Sequence, residues 1–187
     1  MLRLNVNDVD PYKRPVFSVR DKSLRLLWKI IWFLFCSWTP APFHTWRILV
    51  LRLFGAKIGK TNAVYPDCKI WAPWLLQTED VVTIGPGVEI YNPAGVYLGH
   101  HSILSQQAYL CGATHDYNAF DFKYIKKKIQ INSYAWICSK AIVLPGVNCG
   151  EGSVLGAGSI TSKDLDPWKV YAGNPAEPVK NRTNFLN

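Results

Sequence analysis

From Leu98 the chain places an aliphatic or Cys residue at every sixth position, Leu98, Leu104 and Leu110. After one interruption beginning at His115 it resumes the step as Ile131, Ile137, Val143, Cys149 and Leu155. Small residues stand four places later at Ser102, Ala108, Thr114, Ala135, Ala141, Ser153 and Ser159, with Val147 the one larger side chain in that series. A step of six fits neither a helix, at about 3.6, nor a plain strand, at about 2, and self-similarity of this length is the mark of a parallel β-helix. In such a coil each hexapeptide makes one short strand and one corner. The aliphatic residue points inward, the small one fits the narrowing corner, and three hexapeptides close a triangular turn of about 18 residues. Turns stack roughly 4.8 Å apart, so the pattern predicts Ile131 under Cys149 and Ile137 under Leu155. Gly85, Gly99, Gly150 and Gly156, each directly after an inward residue, suit a backbone that bends repeatedly.

Residues 116–130, DYNAFDFKYIKKKIQ, are aromatic and charged and cannot form another coil. They are expected to leave the prism as a loop at a corner, where binding and chemistry concentrate. Upstream, Ile84 and Ile90 keep the step, two residues are added before Leu98, and Ile58, Val64 and Ile70 precede an irregular WAPWLLQTEDVVT stretch, so a ragged coil is expected there. The expected organisation is an all-β domain: a helical leader over 1–50, the β-helix with its extruded loop over 51–170, and a tail over 171–187.

At 187 residues and 49% apolar content the chain supports one core and no second catalytic domain. The formal charge of +8 is uneven: residues 1–60 carry eleven Lys or Arg against three acids, and the remainder balances ten against ten. No nucleic-acid module accompanies the basic leader, which points to anionic lipid and away from nucleic acid. Cys36, Cys68, Cys111, Cys138 and Cys149 show neither zinc spacing nor a CxxC pair, as in a cytoplasmic protein with reduced thiols. Residues 23–38, SLRLLWKIIWFLFCSW, are interrupted by Lys29 and too short to span a bilayer. Two readings stay open for them. Trp28, Trp32 and Trp38 with Arg20, Lys22, Arg25 and Lys29 suit a helix lying in the headgroup region on the inner face of the membrane; the alternative is a helix capping the open end of the prism.

The stretch INSYAWICSKAIVLPGVNCGEGSVLGAGSITSKDLDPWKVYAGNPAEPVKNR resembles the C-terminal half of the hexapeptide-repeat acyltransferases. YLCGATHDYNAF, with LRLFGAKIG ahead of it, is similar to the colanic-acid biosynthesis O-acetyltransferases. The resemblance covers roughly residues 47 to 182 and rests on THDY, Ala135-Trp136, PGV, GAGS, SKD and GNPA. It implies a left-handed β-helix, a homotrimer with sites between subunits, acetyl-CoA as donor and a sugar hydroxyl as acceptor, that sugar being part of an exopolysaccharide or capsule precursor carried on a nucleotide or a lipid.

Attack of a hydroxyl on a thioester needs a base that is neutral near pH 7, the property of an imidazole. His115 matches the family's base and sits where a coil ends and the loop begins. His100 and His101, adjacent on an expected strand, should point to opposite faces, and His44 lies in the leader, so no three-His metal site is expected. By resemblance Trp136 and Ser139 lie near the pantetheine arm, with the Ser139 N–H available to a developing oxyanion. Ala157, Ser162 and Lys163 match the adenine and phosphate contacts, with Lys180 and Arg182 as further clamps. Asn92, Asp116, Tyr117 and Phe120 are expected to meet the acceptor; the loop aromatics, Phe122 and Tyr124 among them, equally suit anchoring on a neighbouring subunit. Three residues depart from the family pattern: Glu177 stands where galactoside-type members carry a basic residue, Cys138 replaces a Gly, and Cys149 an inward Ile. Cys111 is read as a core-compatible thiol and not as a covalent nucleophile. A xenobiotic or antibiotic acceptor, or a purely structural β-helix, remain the alternative readings.

Overall fold

A computed structural model describes residues 15–186. The chain winds into a triangular prism of three parallel sheets. The first holds Leu76–Thr78, Val96–Leu98, Ile129–Ile131 and Asn148–Cys149. The second runs through Ala63–Val64, Thr83–Ile84, Ile103–Leu104, Trp136–Ile137 and Val154–Leu155 to Lys169–Gly173, and the third through Lys69–Ile70, Glu89–Tyr91, Tyr109–Cys111, Ile142–Val143 and Ile160–Thr161. The expected stacking is observed: Ile131 pairs with Cys149 and Ile137 with Leu155, both in parallel register. Every inward position of the six-residue step from Leu98 to Leu155 is fully buried, and so are Ser102, Ala108, Ala135, Ala141 and Ser153 at the corners.

Four expectations change. The upstream coils are regular: Leu76 continues the step from Ile70, is buried, and pairs with Val96; the disturbance is a single 3-10 turn at Pro73–Leu75. Thr114 fills no corner, because Ala113–His115 leaves the prism and pairs antiparallel with Tyr124–Lys126, making the excursion a β-hairpin; the coil is resumed at Ile129. His100 and His101 occupy a turn, not a strand, and their rings meet edge to face at 4.1 Å. The glycines answer a demand for space, not for bending: none of the four adopts left-handed backbone, and a Cβ on Gly99 would come within 2.5 Å of the Ser133 nitrogen in the next coil.

Both ends of the prism are covered. The last coil is closed by the strand Lys169–Gly173, which turns back on Ala176–Asn181 in antiparallel register. At the other end sit α1 (Val19–Phe35) and α2 (His44–Leu53). Ser18 caps α1 in a reciprocal pair with Asp21. Trp28, 2% exposed, donates its indole N–H to the Ile70 carbonyl, and Trp32 donates to Pro66. Two of the three tryptophans of residues 23–38 thus face the prism and not a headgroup layer, while Trp38 stays outside. The first fourteen residues of the leader lie outside the described ones. No described helix is long and apolar enough to cross a membrane.

Arg47 ties α2 to the first coil. Its fully buried guanidinium donates to the Val64 carbonyl at 2.6 Å, to Thr39 Oγ1 at 2.7 Å, to Pro40 O at 3.0 Å and to Ala41 O. Buried acceptors left without donors are costly. Arg47→Met should therefore lower the unfolding free energy by about 2–4 kcal/mol, measured by urea denaturation, whereas Lys57→Met, on the exposed side of the same region, should change it by less than about 0.5 kcal/mol.

Candidate active site

The hairpin creates the one place where an imidazole is held against an antiparallel neighbour. His115 pairs with Tyr124 across the hairpin, stacks on the Phe122 ring at 4.3 Å and stands edge-on to Tyr124 at 5.5 Å. Its Nδ1 lies 2.8 Å from the Phe122 carbonyl oxygen. A carbonyl only accepts, so Nδ1 is the protonated nitrogen, and in the neutral imidazole Nε2 then keeps its lone pair. Phe122 reaches this position with φ +46, left-handed backbone that a bulky residue rarely adopts and that the hairpin tip enforces.

The other expected site residues fall into three groups. Trp136, 43% exposed, and Ser139 lie at the corner between the second and third sheets, where Trp136 Nε1 donates to Ser105 Oγ at 2.8 Å and the Ser139 hydroxyl to Gln106 Oε1 at 2.9 Å. The N–H groups flanking Ser139 join the ladder, Cys138 to Leu155 and Lys140 to Gln106. Among the described residues no acceptor meets the Ser139 N–H itself. Ala157 is exposed one coil further along the same corner, where Gly158 N–H donates to the Ser139 carbonyl.

His115 and Ser162 belong to the corner between the third and first sheets. A groove of about 320 Å³ runs there from Thr114, beside His115, past Cys111, Ile125, Lys127 and Leu144 to Ser162. Lys163 follows and forms an exposed ion pair with Glu177 at 3.8 Å, so the residue that departs from the family pattern faces the expected phosphate lysine. Lys180 lies exposed on the last strand, paired in register with Val170. Within one chain, then, His115 and the Ser139 corner occupy different edges of the prism.

Two expected residues are occupied elsewhere. Asn92 is fully buried and exchanges both amide hydrogen bonds with Ala72, at 3.0 and 2.9 Å, leaving no surface for a substrate. Arg182 donates to the carbonyls of Tyr134 and Gly152, both at 2.9 Å, and so anchors the C-terminal segment instead of offering a free clamp. Asp116 accepts from Asn118 N–H at 3.1 Å and shapes the hairpin turn, while Tyr117 and Phe120 project outward at 82% and 61% exposure. Sequence reasoning missed Phe122 as the partner of His115; its signal was the spacing of seven residues, enough for a short hairpin to bring it back. Among the described residues no group of three His, Cys, Asp or Glu side chains is placed to hold a metal ion.

No family model matches the chain. Over 156 residues it is 37% identical to the Escherichia coli (strain K12) protein named "Putative colanic acid biosynthesis acetyltransferase WcaF", an alignment spanning 83% of this chain and 86% of that one. The chain belongs to the hexapeptide-repeat acetyltransferase family. Its fold is that family's left-handed parallel β-helix. It superposes with a TM-score of 0.81 on the hexapeptide-repeat acetyltransferase of Vibrio cholerae O1 biovar eltor complexed with acetyl coenzyme A, covering 89% of this chain and 91% of that one at 20% identity. A maltose O-acetyltransferase from Clostridium difficile 630 matches with a TM-score of 0.75 at 21% identity, covering 89% and 90%.

Three of the five cysteines, Cys36, Cys68 and Cys149, are buried. Burial pushes the Cys36 thiol up to about 11 and raises Cys68, Cys149 and Cys138 as well. Cys111 is half-buried and donates to Ala113 O at 3.3 Å. In the folded protein at pH 8, Ellman's reagent should react with two thiols at most, Cys111 and Cys138, and with all five after guanidinium denaturation; three or more fast thiols without denaturant would contradict this packing.

Proposed function

We propose that the protein moves an acetyl group from acetyl-CoA directly to a hydroxyl of a sugar in an exopolysaccharide or capsule precursor, with His115 as general base. The observation that carries this reading is the 2.8 Å approach of His115 Nδ1 to the Phe122 carbonyl oxygen, which in a neutral imidazole puts the proton on Nδ1 and leaves Nε2 as a proton acceptor. Support for the donor comes from the Vibrio cholerae relative's complex with acetyl coenzyme A and from the groove that runs from Thr114 to Ser162. Support for a sugar acceptor comes from the colanic acid and maltose acetyltransferases that the chain resembles.

In the scheme, Nε2 takes the proton of the acceptor hydroxyl as its oxygen forms a C–O bond to the thioester carbonyl. The oxyanion that develops is met by the Ser139 N–H. As the C–S bond breaks, the imidazolium returns the proton to the departing thiolate, so no acyl-enzyme is needed. Because His115 and Ser139 lie at different corners of one chain, the scheme requires that a second copy bring its Ser139 corner to the first copy's hairpin. A closed homotrimer supplies three such sites. The exposed apolar face of α1 and α2, flanked by Arg20, Lys22 and Lys29, suits peripheral contact with an anionic membrane on its cytoplasmic side.

His115→Ala should lower kcat by about 10² to 10⁴ in acetyl transfer to a confirmed acceptor, with CoA affinity retained, while Cys111→Ala should cost less than about twofold. Wild-type turnover without His115 would refute the mechanism, and a folded but inactive Cys111 variant would favour a covalent one. Light scattering at micromolar protein should report a trimer; a monomer that still transfers acetyl groups would remove the shared site.

A further inference from the structure

The hairpin that carries His115 is short, three residues in each strand, and a two-stranded hairpin of that size is marginal in water unless something packs against it. Its backbone joins the prism at the base, where the Lys127 N–H donates to the Gly112 carbonyl at 3.0 Å. His115 sits at the other end of the pairing, so its position has to be fixed by side chains. Tyr124, directly opposite His115, supplies one such tie. Its hydroxyl shares a hydrogen bond of 2.8 Å with that of Tyr91 on the third sheet, and its ring stands against the imidazole at 5.5 Å. Burial pushes the Tyr124 phenol up, and the bond to Tyr91 adds to the shift, so the hydroxyl keeps its proton through neutral pH.

Tyr124 is in turn held from the leader. Phe17, the residue before the Ser18 cap of α1, meets the Tyr124 ring edge-on at 5.5 Å and the Trp71 ring at 5.1 Å. Trp71 meets Tyr91 edge-on at 5.3 Å, one coil apart, as the pairing of Ile70 with Ile90 requires. Each of these four residues therefore contacts two of the others, and the closed circuit joins leader, third sheet and hairpin. Tilted and edge-to-face contacts at such distances are the favourable geometries for aromatic rings. Arg25 lies over the leader side of the circuit, its guanidinium carbon 4.3 Å from the Phe17 centroid and 4.2 Å from that of Trp71. Along its length α1 borders a cleft of about 380 Å³ with Trp71 and Tyr91 in the wall; at its start, Phe17 makes the link to the hairpin.

We infer that Tyr124 is a positioning residue for His115 and that the docked leader, through Phe17, sets the turnover of the site. The inference rests on the reading of His115 as the base of acetyl transfer. Misplacing a reacting group by about 1 Å costs rate steeply, so loosening the circuit lowers kcat. Donor affinity is spared, because none of the four rings lines the groove from Thr114 to Ser162. The leader then serves turnover as well as covering the first coil.

The test reads the imidazole directly, in the full chain with isotope-labelled histidine at pH 8 and no acceptor present, by NMR couplings that distinguish Nδ1–H from Nε2–H. His115→Gln assigns the signals. The wild-type chain should show His115 as Nδ1–H alone, and Tyr124→Ala and Phe17→Ala should leave a mixture of the two tautomers. In acetyl transfer to a confirmed acceptor the same two variants should lower kcat by about tenfold or more, with the KM for acetyl-CoA within about twofold of wild type. The hydroxyl pair should act as a unit: Tyr91→Phe and Tyr124→Phe each cost about three- to fivefold in kcat, and the double variant costs no more than either alone. Tyr124→Phe keeps the ring, so it remains decisive even if Tyr124→Ala fails to fold. Trp38→Ala, which removes an exposed leader ring outside the circuit, should leave kcat within about twofold. A wild-type tautomer and kcat in Phe17→Ala, or independent costs of the two hydroxyls, would overturn the inference. So would a raised acceptor KM with kcat unchanged, which would give Tyr124 to acceptor binding. Loss of the pure Nδ1–H form in the variants with kcat at the wild-type level would instead overturn the base reading of His115 and leave the positioning of its imidazole standing.

Discussion

Apart from the closing strand Lys169–Gly173, each strand of this prism is two or three residues long and has no partner in its own coil. All its ladder bonds go to the coils above and below, as Ile103–Leu104 shows between Thr83–Ile84 and Trp136–Ile137. Stability is therefore a sum over neighbouring coils, and each coil is held only while both its faces are covered. The inward ladder of Ile84, Leu104, Ile137 and Leu155 pins the register, since a slip by one residue would turn every aliphatic side chain outward. What the constraint leaves free is the outer surface of the corners, and the candidate residues Ser139, Ala157 and Ser162 stand there, with His115 on the hairpin that leaves one of them.

The same constraint explains where the leader's charge goes. The first coil has no coil beneath it, so α1 and α2 cover it, and several leader cations serve that cover. Arg47 is buried among carbonyls, and Arg52 donates to Ile58 and Gly59 carbonyls at 2.8 and 2.9 Å. A count of Lys and Arg cannot separate such residues from surface ones, because a guanidinium with five donors is as useful to orphaned carbonyls as to an anion. The capping and membrane readings of the leader consequently divide between two helix faces: Trp28 and Trp32 look inward, and Leu26, Ile30 and Leu34 look outward.

The fold was legible because a step of six has only one physical meaning, and the aliphatic positions that carry it are all buried. Leu76 escaped notice since the Pro73 turn beside it reads as irregular, although the step from Ile70 was intact. His115 was legible as the last residue before the period breaks. Asn92 and Arg182 were not, because their hydrogen bonds go to Ala72 and to Tyr134 and Gly152, backbone partners twenty and more residues away that only the stacking brings near. The contact of Arg25 with the Trp71 ring is likewise a product of α1 docking; nothing in the linear sequence brings position 25 to position 71.

A parallel coil alone presents a corner residue against copies of the same turn, with every ladder carbonyl already directed at the next coil. Orienting an imidazole needs a carbonyl aimed across the chain. The hairpin supplies it: the antiparallel register sets Tyr124 opposite His115, and the left-handed Phe122 turns its carbonyl onto Nδ1 while its ring covers the imidazole face. The excursion that interrupts the sequence period is thus the element that orients the His115 imidazole. It also separates two concave surfaces, the groove leading to Ser162 and the aromatic approach from the α1 cleft.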